Sequence, residues 1–265
     1  MDNRPIGIYD SGVGGLTSIS SFNEVLPYES IIYAGDTARA PYGPKTPAQI
    51  RRFSLEIADF LAENDVKMVI AACNTSSSYA MDNIKIAHPE LLVQGIIKPC
   101  AEQIARTCTP DNSIGIIATP ATVRSMAYAR ELHKRRGDLI VHSLACPDFV
   151  PAIESGEFKG SKMEKIVSDT LSKFVEEYKI DTLVLGCTHY PLIRGTIEEL
   201  FPNMSIIDPS MALALKVKNT LEEKDMLSEN RERTMKVYAS RLTPQFEETL
   251  EMLGITADSL EEHVF

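Results

Sequence analysis

Two short, mostly apolar runs, Met68–Ala72 and Thr182–Gly186, end in the same way along the chain. Each run closes on a small residue and is followed at once by a cysteine, Cys73 in the first case and Cys187 in the second. A short apolar run bounded by turn-forming residues is typical of a buried strand in a parallel sheet. Because ligands bind beyond the carboxyl ends of such strands, the pattern predicts two related half-sites that each offer one thiol.

The first run belongs to a series of alternating strands and helices. Apolar patterning predicts a strand at Ile6–Tyr9, a glycine-rich turn at Asp10–Gly15 that leads into a helix, and a second strand at Ser30–Ala34. A capping box with proline at the first helical position opens a predicted helix over 46–64. After the strand that leads into the first cysteine, Leu91–Ile97 is predicted to be a further strand.

A second series repeats this order. The strand predicted at Ser113–Thr119 contains the same Ile-Gly-Ile sequence as the first strand of the chain, and Leu139–Ser143 corresponds to the second. Cys146–Gly156 is predicted to be a loop with a short helical piece. A second capping box, Ser161 to Glu164, opens a helix that precedes the strand into the second cysteine. The repeated order indicates two α/β units related by duplication.

The predicted fold class is therefore α/β, with two pseudo-symmetric parallel-sheet domains and the active site in the cleft between them. From Ser205 onward, a strand, a helix and the strand Thr234–Tyr238 are predicted to return to the first unit, with a charged, solvated linker at 222–233. The predicted domains are residues 1–98 with 207–265, and residues 99–206.

Charge and cysteine content restrict the classes of function and location. The net charge of −10, without a basic stripe, argues against a nucleic-acid partner, so an anion would have to be bound by backbone N–H groups and hydroxyls. The N-terminus lacks the apolar segment of a signal peptide, and no apolar run approaches a membrane span. Five cysteines without Cys-x-x-Cys spacing favour free thiols in a reducing cytoplasm, with no membrane partner. Whether the chain forms a homodimer is left open.

Several long motifs together resemble the glutamate racemases of the aspartate/glutamate racemase family, and they occur in consistent order between about Ile6 and Ser210. They are Ile8–Gly15, Gly35–Gly43, Ala72–Thr75, Phe149–Gly156, Leu185–Leu192 and Ile207–Ser210. The resemblance implies cofactor-independent interconversion of L-glutamate and D-glutamate, which supplies D-glutamate for peptidoglycan synthesis. It also implies an enzyme without the peptidoglycan-precursor activator that serves some family members, because the extra N-terminal segment of those members does not precede Ile6.

Racemisation explains why two thiols would be needed. A proton must leave one face of Cα and another must arrive on the opposite face, so two acid–base groups must lie on either side of one carbon. A thiolate is a suitable base when nearby donors or dipoles lower its pKa from about 8.5. The scheme requires neither a pyridoxal cofactor nor a metal ion, and the sequence contains no clear motif for pyridoxal.

The resemblance also assigns residues to roles. The acid–base pair is Cys73 and Cys187; Asp10 is expected to assist the first, and His189 and Glu154 are expected to assist the second. The expected substrate-binding residues offer hydroxyls, amides, an imidazole, a carboxyl or backbone N–H groups: Asp10, Ser11, Pro41, Tyr42, Gly43, Asn74, Thr75, Thr119, Thr122, Thr188 and His189. Cys100, Cys108 and Cys146 lack this context and are expected to be small buried residues.

Three other functions remain compatible with the residues. A racemase of aspartate or another small acidic amino acid would share the fold and both thiols. A cysteine hydrolase would use Cys187 as nucleophile and His189 as base, and would leave Cys73 without a role. A metal-binding or regulatory module would use the same three side chains as zinc ligands.

Overall fold

Ten strands form two entirely parallel sheets in the computed structural model, which describes all residues 1–265. The six-stranded sheet has the order β10-β9-β2-β1-β3-β4, and the four-stranded sheet has the order β6-β5-β7-β8. The strands are β1 (Ile6–Asp10), β2 (Ile31–Gly35), β3 (Met68–Ala71), β4 (Leu92–Gly95), β5 (Ser113–Ala118), β6 (Ile140–Ala145), β7 (Thr182–Gly186), β8 (Ser205–Ile207), β9 (Met235–Ala239) and β10 (Ser259–Glu262).

Twelve helices connect the strands. One 3₁₀ segment, Gly14–Ser18, begins within the glycine-rich turn, and a second, Tyr190–Ile193, lies shortly after Cys187. The helices are α1 (Ile19–Val25), α2 (Pro47–Glu63), α3 (Asn74–Tyr79), α4 (Met81–Ala87), α5 (Ile97–Thr107), α6 (Pro120–Ser125), α7 (Ala127–Arg135), α8 (Phe149–Glu154), α9 (Ser161–Tyr178), α10 (Arg194–Leu200), α11 (Pro209–Glu223) and α12 (Pro244–Met252). None of them is long and apolar enough to cross a membrane.

The predicted duplication is visible in the strand orders. The order β2-β1-β3-β4 in one sheet is repeated as β6-β5-β7-β8 in the other, so β3 and β7 occupy equivalent positions. The largest buried apolar cluster contains Ile8 of β1 and Ile116 of β5, so packing is continuous from one sheet to the other. The predicted fold class is confirmed, whereas the domain boundaries stay a prediction.

The strand at Ser205 was predicted to return to the first unit, and this prediction was wrong. Residues Ser205–Ile207 form β8, which pairs with β7 at the edge of the four-stranded sheet. Ile206 packs on the apolar cluster beneath that sheet, which explains the placement of the strand. The return begins only with α11, which contacts α1, and it continues with β9, which pairs with β2.

Of the two predicted capping boxes, only the first is present. Thr46 accepts from the backbone N–H of Gln49, and the Gln49 side chain accepts from the backbone N–H of Thr46. At the second, α9 begins at Ser161 itself and Gly160 is the N-cap, with φ of 88°. Glycine adopts this left-handed conformation without the steric cost of a side chain, so the chain enters the helix one residue earlier than predicted.

The linker predicted as solvated is partly anchored in the protein. Lys67 Nζ lies 2.6 Å from Glu29 Oε2, and both side chains are almost fully buried. The Lys67 ammonium donates to the carbonyl of Met226 at 2.7 Å, and the backbone N–H of Ser228 donates to Glu29 at 2.8 Å. A hydrophilic sequence therefore supplies backbone partners for a buried ion pair that sequence patterning does not reveal.

Candidate active site

The carboxyl ends of equivalent strands from the two sheets meet around one small cavity of about 20 Å³. Cys73 lies just beyond β3 and Cys187 directly follows β7, so each sheet contributes one thiol. The cavity is lined by Ser11, Pro41, Tyr42, Gly43, Cys73, Asn74, Thr75, Thr119, Val150, Cys187, Thr188 and His189. A larger surface cavity, of about 410 Å³, contains neither thiol, so chemistry and not size identifies this site.

The Cys73 thiol is surrounded by hydroxyls and backbone donors. Cys73 is the N-cap of α3, and its sulfur accepts from the backbone N–H of Ser76 at 3.4 Å. The thiol itself donates to Ser11 Oγ at 3.6 Å. Burial and the nearby charge of Asp10 raise the pKa of Cys73 to about 12, against the opposing effect of these donors. Cys73 is therefore a protonated thiol at neutral pH.

The Cys187 thiol has a different partner. His189 Nδ1 lies 3.8 Å from Cys187 Sγ, and His189 Nε2 lies 3.1 Å from Glu154 Oε1. Burial alone would lower the pKa of His189, but its hydrogen bonds to Cys187 and Glu154 outweigh burial and raise that pKa to about 10. His189 is consequently an imidazolium at neutral pH, with one ring N–H directed at the sulfur and the other at the carboxylate.

Asp10, the last residue of β1, connects the two halves of the site. Its Oδ1 accepts from the backbone N–H of Gly12 at 3.0 Å, and its Oδ2 accepts from the Thr188 hydroxyl at 3.0 Å. Burial raises the pKa of Asp10, and the positive charge of His189 and the hydrogen bond from Thr188 partly oppose this rise. The carboxyl acts on Cys73 through its charge and holds the loop after β7 through a hydrogen bond.

Two glycines in the turn after β1 permit these close approaches. A Cβ at Gly14 would lie 2.4 Å from His189 Nδ1, and a Cβ at Gly15 would lie 2.3 Å from the Cβ of Asp10. Any side chain at either position would therefore displace one of the two ionisable groups. The glycine-rich turn is needed here for close packing of the site.

The loop that carries Pro41, Tyr42 and Gly43 is held by a buried carboxyl. Asp36 accepts a hydrogen bond from the Tyr42 hydroxyl and one from Arg39 Nε, the latter at 2.6 Å. Sequence reasoning did not single out Asp36 as a site residue, because an aspartate after a strand is a common turn residue.

Hydroxyls from segments that follow strands of both sheets meet beside the cavity. Thr75 Oγ1 lies 2.9 Å from Thr119 Oγ1 and 3.2 Å from Thr122 Oγ1. Thr119 is the N-cap of α6, where its hydroxyl accepts from the backbone N–H of Thr122 at 3.3 Å. One turn of the four-stranded sheet thus contributes both threonines.

The structure places the predicted site residues either on the wall of the cavity or directly behind a residue of that wall. Most of them line it directly. The remaining three lie one contact behind: Asp10 behind Thr188, Thr122 behind Thr119 and Glu154 behind His189. Sequence reasoning missed Val150, which lines the cavity, and Tyr128, whose hydroxyl contacts Asn74. Both carry the apolar or aromatic character of ordinary core residues, so the sequence contains no distinguishing signal for them.

The other cysteines lie outside this cavity. Cys100, Cys108 and Cys146 are buried, and all five cysteines of the chain are free thiols. No group of three or more His, Cys, Asp and Glu side chains is placed to hold a metal ion, and Cys73, Cys187 and His189 do not form one.

Comparisons with known proteins agree with this geometry. Residues 19–217 match the Asp/Glu/Hydantoin racemase family. A glutamate racemase from Streptococcus pneumoniae is 46% identical over 209 residues, which cover 78% of each chain. The solved structure of glutamate racemase from Francisella tularensis, in complex with D-glutamate, superposes with a TM-score of 0.92 at 36% identity, over 99% of this chain and 98% of that one. The Thermus thermophilus glutamate racemase in complex with beta-chloro-D-alanine superposes with a TM-score of 0.87 at 34% identity, over 100% of this chain and 99% of that one. The chain therefore belongs to the Asp/Glu/hydantoin racemase family.

Proposed function

We propose that this protein interconverts L-glutamate and D-glutamate by a cofactor-independent reaction between two thiols. The observation that carries the proposal is the delivery of Cys73 and Cys187 from equivalent strand ends of two like sheets to one cavity. The relatives that share this fold include glutamate racemases, and one of them was solved in complex with D-glutamate. The D-glutamate formed would supply peptidoglycan synthesis in the cytoplasm.

In the proposed reaction, Cys187 as a thiolate removes the Cα proton of L-glutamate. The bonding electron pair stays on Cα, and the Cys73 thiol delivers its proton to the opposite face. The product is D-glutamate, with the proton inventory conserved: Cys187 is now a thiol and Cys73 a thiolate. The reverse reaction begins from this second state. The protonated Cys73 thiol and the imidazolium beside Cys187 suit the first state.

The ionisable neighbours support the two proton transfers. His189 donates a hydrogen bond to the Cys187 thiolate, and Glu154 holds the imidazole in orientation from the other side. Asp10 places negative charge near Cys73 and thereby strengthens the basicity of its thiolate. Positioned acid–base groups of this kind typically contribute about a hundred- to ten-thousand-fold to the rate.

The remaining cavity residues are proposed to bind the substrate. Hydroxyls and amide donors suit its two carboxylates, because the chain as a whole is acidic and provides no long-range attraction for an anion. The proposed binding residues that line the cavity are Ser11, Pro41, Tyr42, Gly43, Asn74, Thr75, Thr119, Thr188 and His189. Asp10 and Thr122 are proposed to assist from one contact behind, through Thr188 and Thr119.

A circular-dichroism assay tests the reaction. Purified protein should bring the circular-dichroism signal to the same final value, that of the racemate, from either L-glutamate or D-glutamate. It should act on aspartate far more slowly. Activity should persist after dialysis against a chelator and after hydroxylamine treatment, which removes pyridoxal. Activity that returns only on addition of a metal ion or pyridoxal phosphate would contradict the two-thiol scheme.

Single-cysteine variants test the assignment of the faces. In deuterated water, Cys73→Ala should exchange the Cα hydrogen of L-glutamate and not that of D-glutamate, because only Cys187 remains. Cys187→Ala should show the reverse preference, and neither variant should racemise. Proton NMR of each enantiomer measures the exchange, with the wild-type protein as positive control. Equal exchange of both enantiomers by either variant is incompatible with one thiol serving each face.

A further inference from the structure

A tyrosine on a helix between two strands of the four-stranded sheet contacts a site residue that follows β3 of the six-stranded sheet. Tyr128 lies in the first turn of α7, and its hydroxyl donates to Asn74 Oδ1 at 2.7 Å. Asn74 directly follows Cys73 and begins α3. Both side chains are almost completely buried, with exposed fractions of 3% for Tyr128 and 2% for Asn74. The contact is thus a buried polar link between the two halves of the protein.

The other end of the Asn74 amide is unpaired. Its Nδ2 is buried and has no hydrogen-bond partner within the protein, although Asn74 lines the cavity between the thiols. A buried donor without a partner destabilises the folded protein, so such a group is retained where a ligand accepts from it. Because oxygen and nitrogen share one planar carbon, the hydrogen bond that fixes Oδ1 also fixes the direction of the Nδ2 donor.

The direction of the Tyr128 hydrogen bond matters for an anionic ligand. Burial raises the pKa of Tyr128 well above its usual range, so the hydroxyl keeps its proton and remains a donor. If the amide were reversed, Asn74 Oδ1 would face the cavity and would repel a carboxylate. With the amide as observed, its NH₂ group is the end left for a ligand.

We propose that Tyr128 is a positioning residue for substrate binding: it holds the Asn74 amide so that Nδ2 donates to a carboxylate of the amino-acid substrate. The inference rests on the proposed function, because it takes an acidic amino acid as the ligand. Tyr128 does not line the cavity and acts only through Asn74.

The segment that carries Tyr128 also carries the threonines of the site. Between α6 and α7 the chain turns sharply at Met126, which has φ of 52°. The Ser125 hydroxyl holds this corner: it donates to the carbonyl of Thr122 at 2.6 Å and accepts from the backbone N–H of Ala127 at 3.1 Å. The corner therefore sets the position of Tyr128 relative to Thr122.

The test compares Tyr128→Phe with a matched control, Tyr79→Phe. Tyr79 lies on the same helix as Asn74, and its hydroxyl also crosses between the halves, where it donates to the carbonyl of Ala121 at 2.9 Å. It touches no side chain of the site through that hydroxyl. Each substitution removes one cross-sheet hydroxyl contact, but only Tyr128→Phe releases the Asn74 amide.

We expect Tyr128→Phe to raise KM for both enantiomers of glutamate, and the Kd of D-glutamate measured by calorimetry, by about 10- to 100-fold, the range for a hydrogen bond to a charged group. Its kcat should change by less than about threefold, and Tyr79→Phe should stay within about twofold of wild type in every constant. Equal effects of the two variants, or an effect confined to kcat, would overturn the proposal.

A double-variant cycle separates positioning from general packing. In an Asn74→Ala background, the further change Tyr128→Phe should alter the Kd of D-glutamate by less than about twofold, because the amide it positions is absent. Fully additive losses would contradict the proposal. If the wild-type protein neither binds nor racemises glutamate, the proposed function fails first; if it does both and the cycle is additive, only the role of Tyr128 fails.

Discussion

The buried carboxyl of Asp10 is expected to affect both the proposed reaction and the stability of the fold. It is fully buried, and burial raises its pKa above the ordinary value of 3.8. A carboxyl whose folded-state pKa is raised binds its proton more tightly in the folded than in the unfolded protein. The folded state is therefore favoured at pH values below 3.8, and this contribution is lost as pH rises through the folded-state pKa. As pH rises above 3.8, burial of this carboxyl therefore lowers the stability of the fold.

We accordingly expect Asp10→Asn to stabilise the protein while it damages catalysis. The free energy of unfolding in urea at pH 7 should rise by about 1.4 kcal/mol for each pKa unit by which burial raises the wild-type group. The gain should shrink as pH falls toward 3.8, the ordinary pKa of the group, because the buried wild-type carboxyl then keeps its proton. The kcat should fall by about a hundred- to ten-thousand-fold with little change in KM. A variant that is less stable at pH 7, or altered only in KM, would show that the role of Asp10 is structural or limited to binding.

At the same scale, the residues predicted from sequence were those with distinctive chemistry. Cysteines after apolar runs and a histidine two residues beyond one of them are rare enough to be recognised. Tyr128 was not predicted, because a tyrosine on an amphipathic helix resembles any core aromatic until its hydroxyl is seen beside Asn74. Long-range partners of this kind follow from the fold and not from local pattern.

Among the elements, most strands were predicted from the sequence, whereas β10 was not and the start of α9 was misplaced. Parallel strands buried on both faces, such as β1 and β7, read as continuous apolar runs. The short edge strand β8 has only three residues, and its sheet was decided by packing on β7. The helix start at Ser161 depended on a single glycine conformation, which patterning does not encode.

The ion pair at the start of β3 gives a prediction for element stability. Lys67→Met leaves the Glu29 carboxylate buried without its cation, so it should lower the free energy of unfolding by roughly 3–5 kcal/mol. Adding Glu29→Met should restore much of the loss, because no unpaired charge remains. The pair lies at the amino end of β3, whereas the thiols follow the carboxyl ends of the strands, so kcat at 20 °C should stay near the wild-type value. Urea unfolding at pH 7 gives the free energy of unfolding of all three proteins. Stability of Lys67→Met equal to that of wild type would contradict the prediction.

At the scale of the whole molecule, polar contacts close the site. The Thr17 hydroxyl donates to the carbonyl of Thr188 at 2.9 Å, and the contacts of Asp10 with Thr188 and of Thr75 with Thr119 also join the two halves. The cavity of about 20 Å³ has room for roughly one water molecule and none for an amino acid. We therefore expect the halves to move apart to admit substrate, and motions of this kind occur in about microseconds to milliseconds.

The proposed reaction also leaves its proton on a different sulfur according to direction: on Cys187 after D-glutamate is formed, and on Cys73 after L-glutamate is formed. Cys73 and Cys187 are only 4% and 6% exposed, so the proposed mechanism would leave the transferred proton on one of these sulfurs until water reaches it. By this mechanism, a molecule that has just released D-glutamate would accept D-glutamate at once, and it would accept L-glutamate only after solvent has moved that proton back. The extent and duration of the opening would then decide how quickly the two sulfurs exchange this proton with water, and so how soon the protein accepts the other enantiomer.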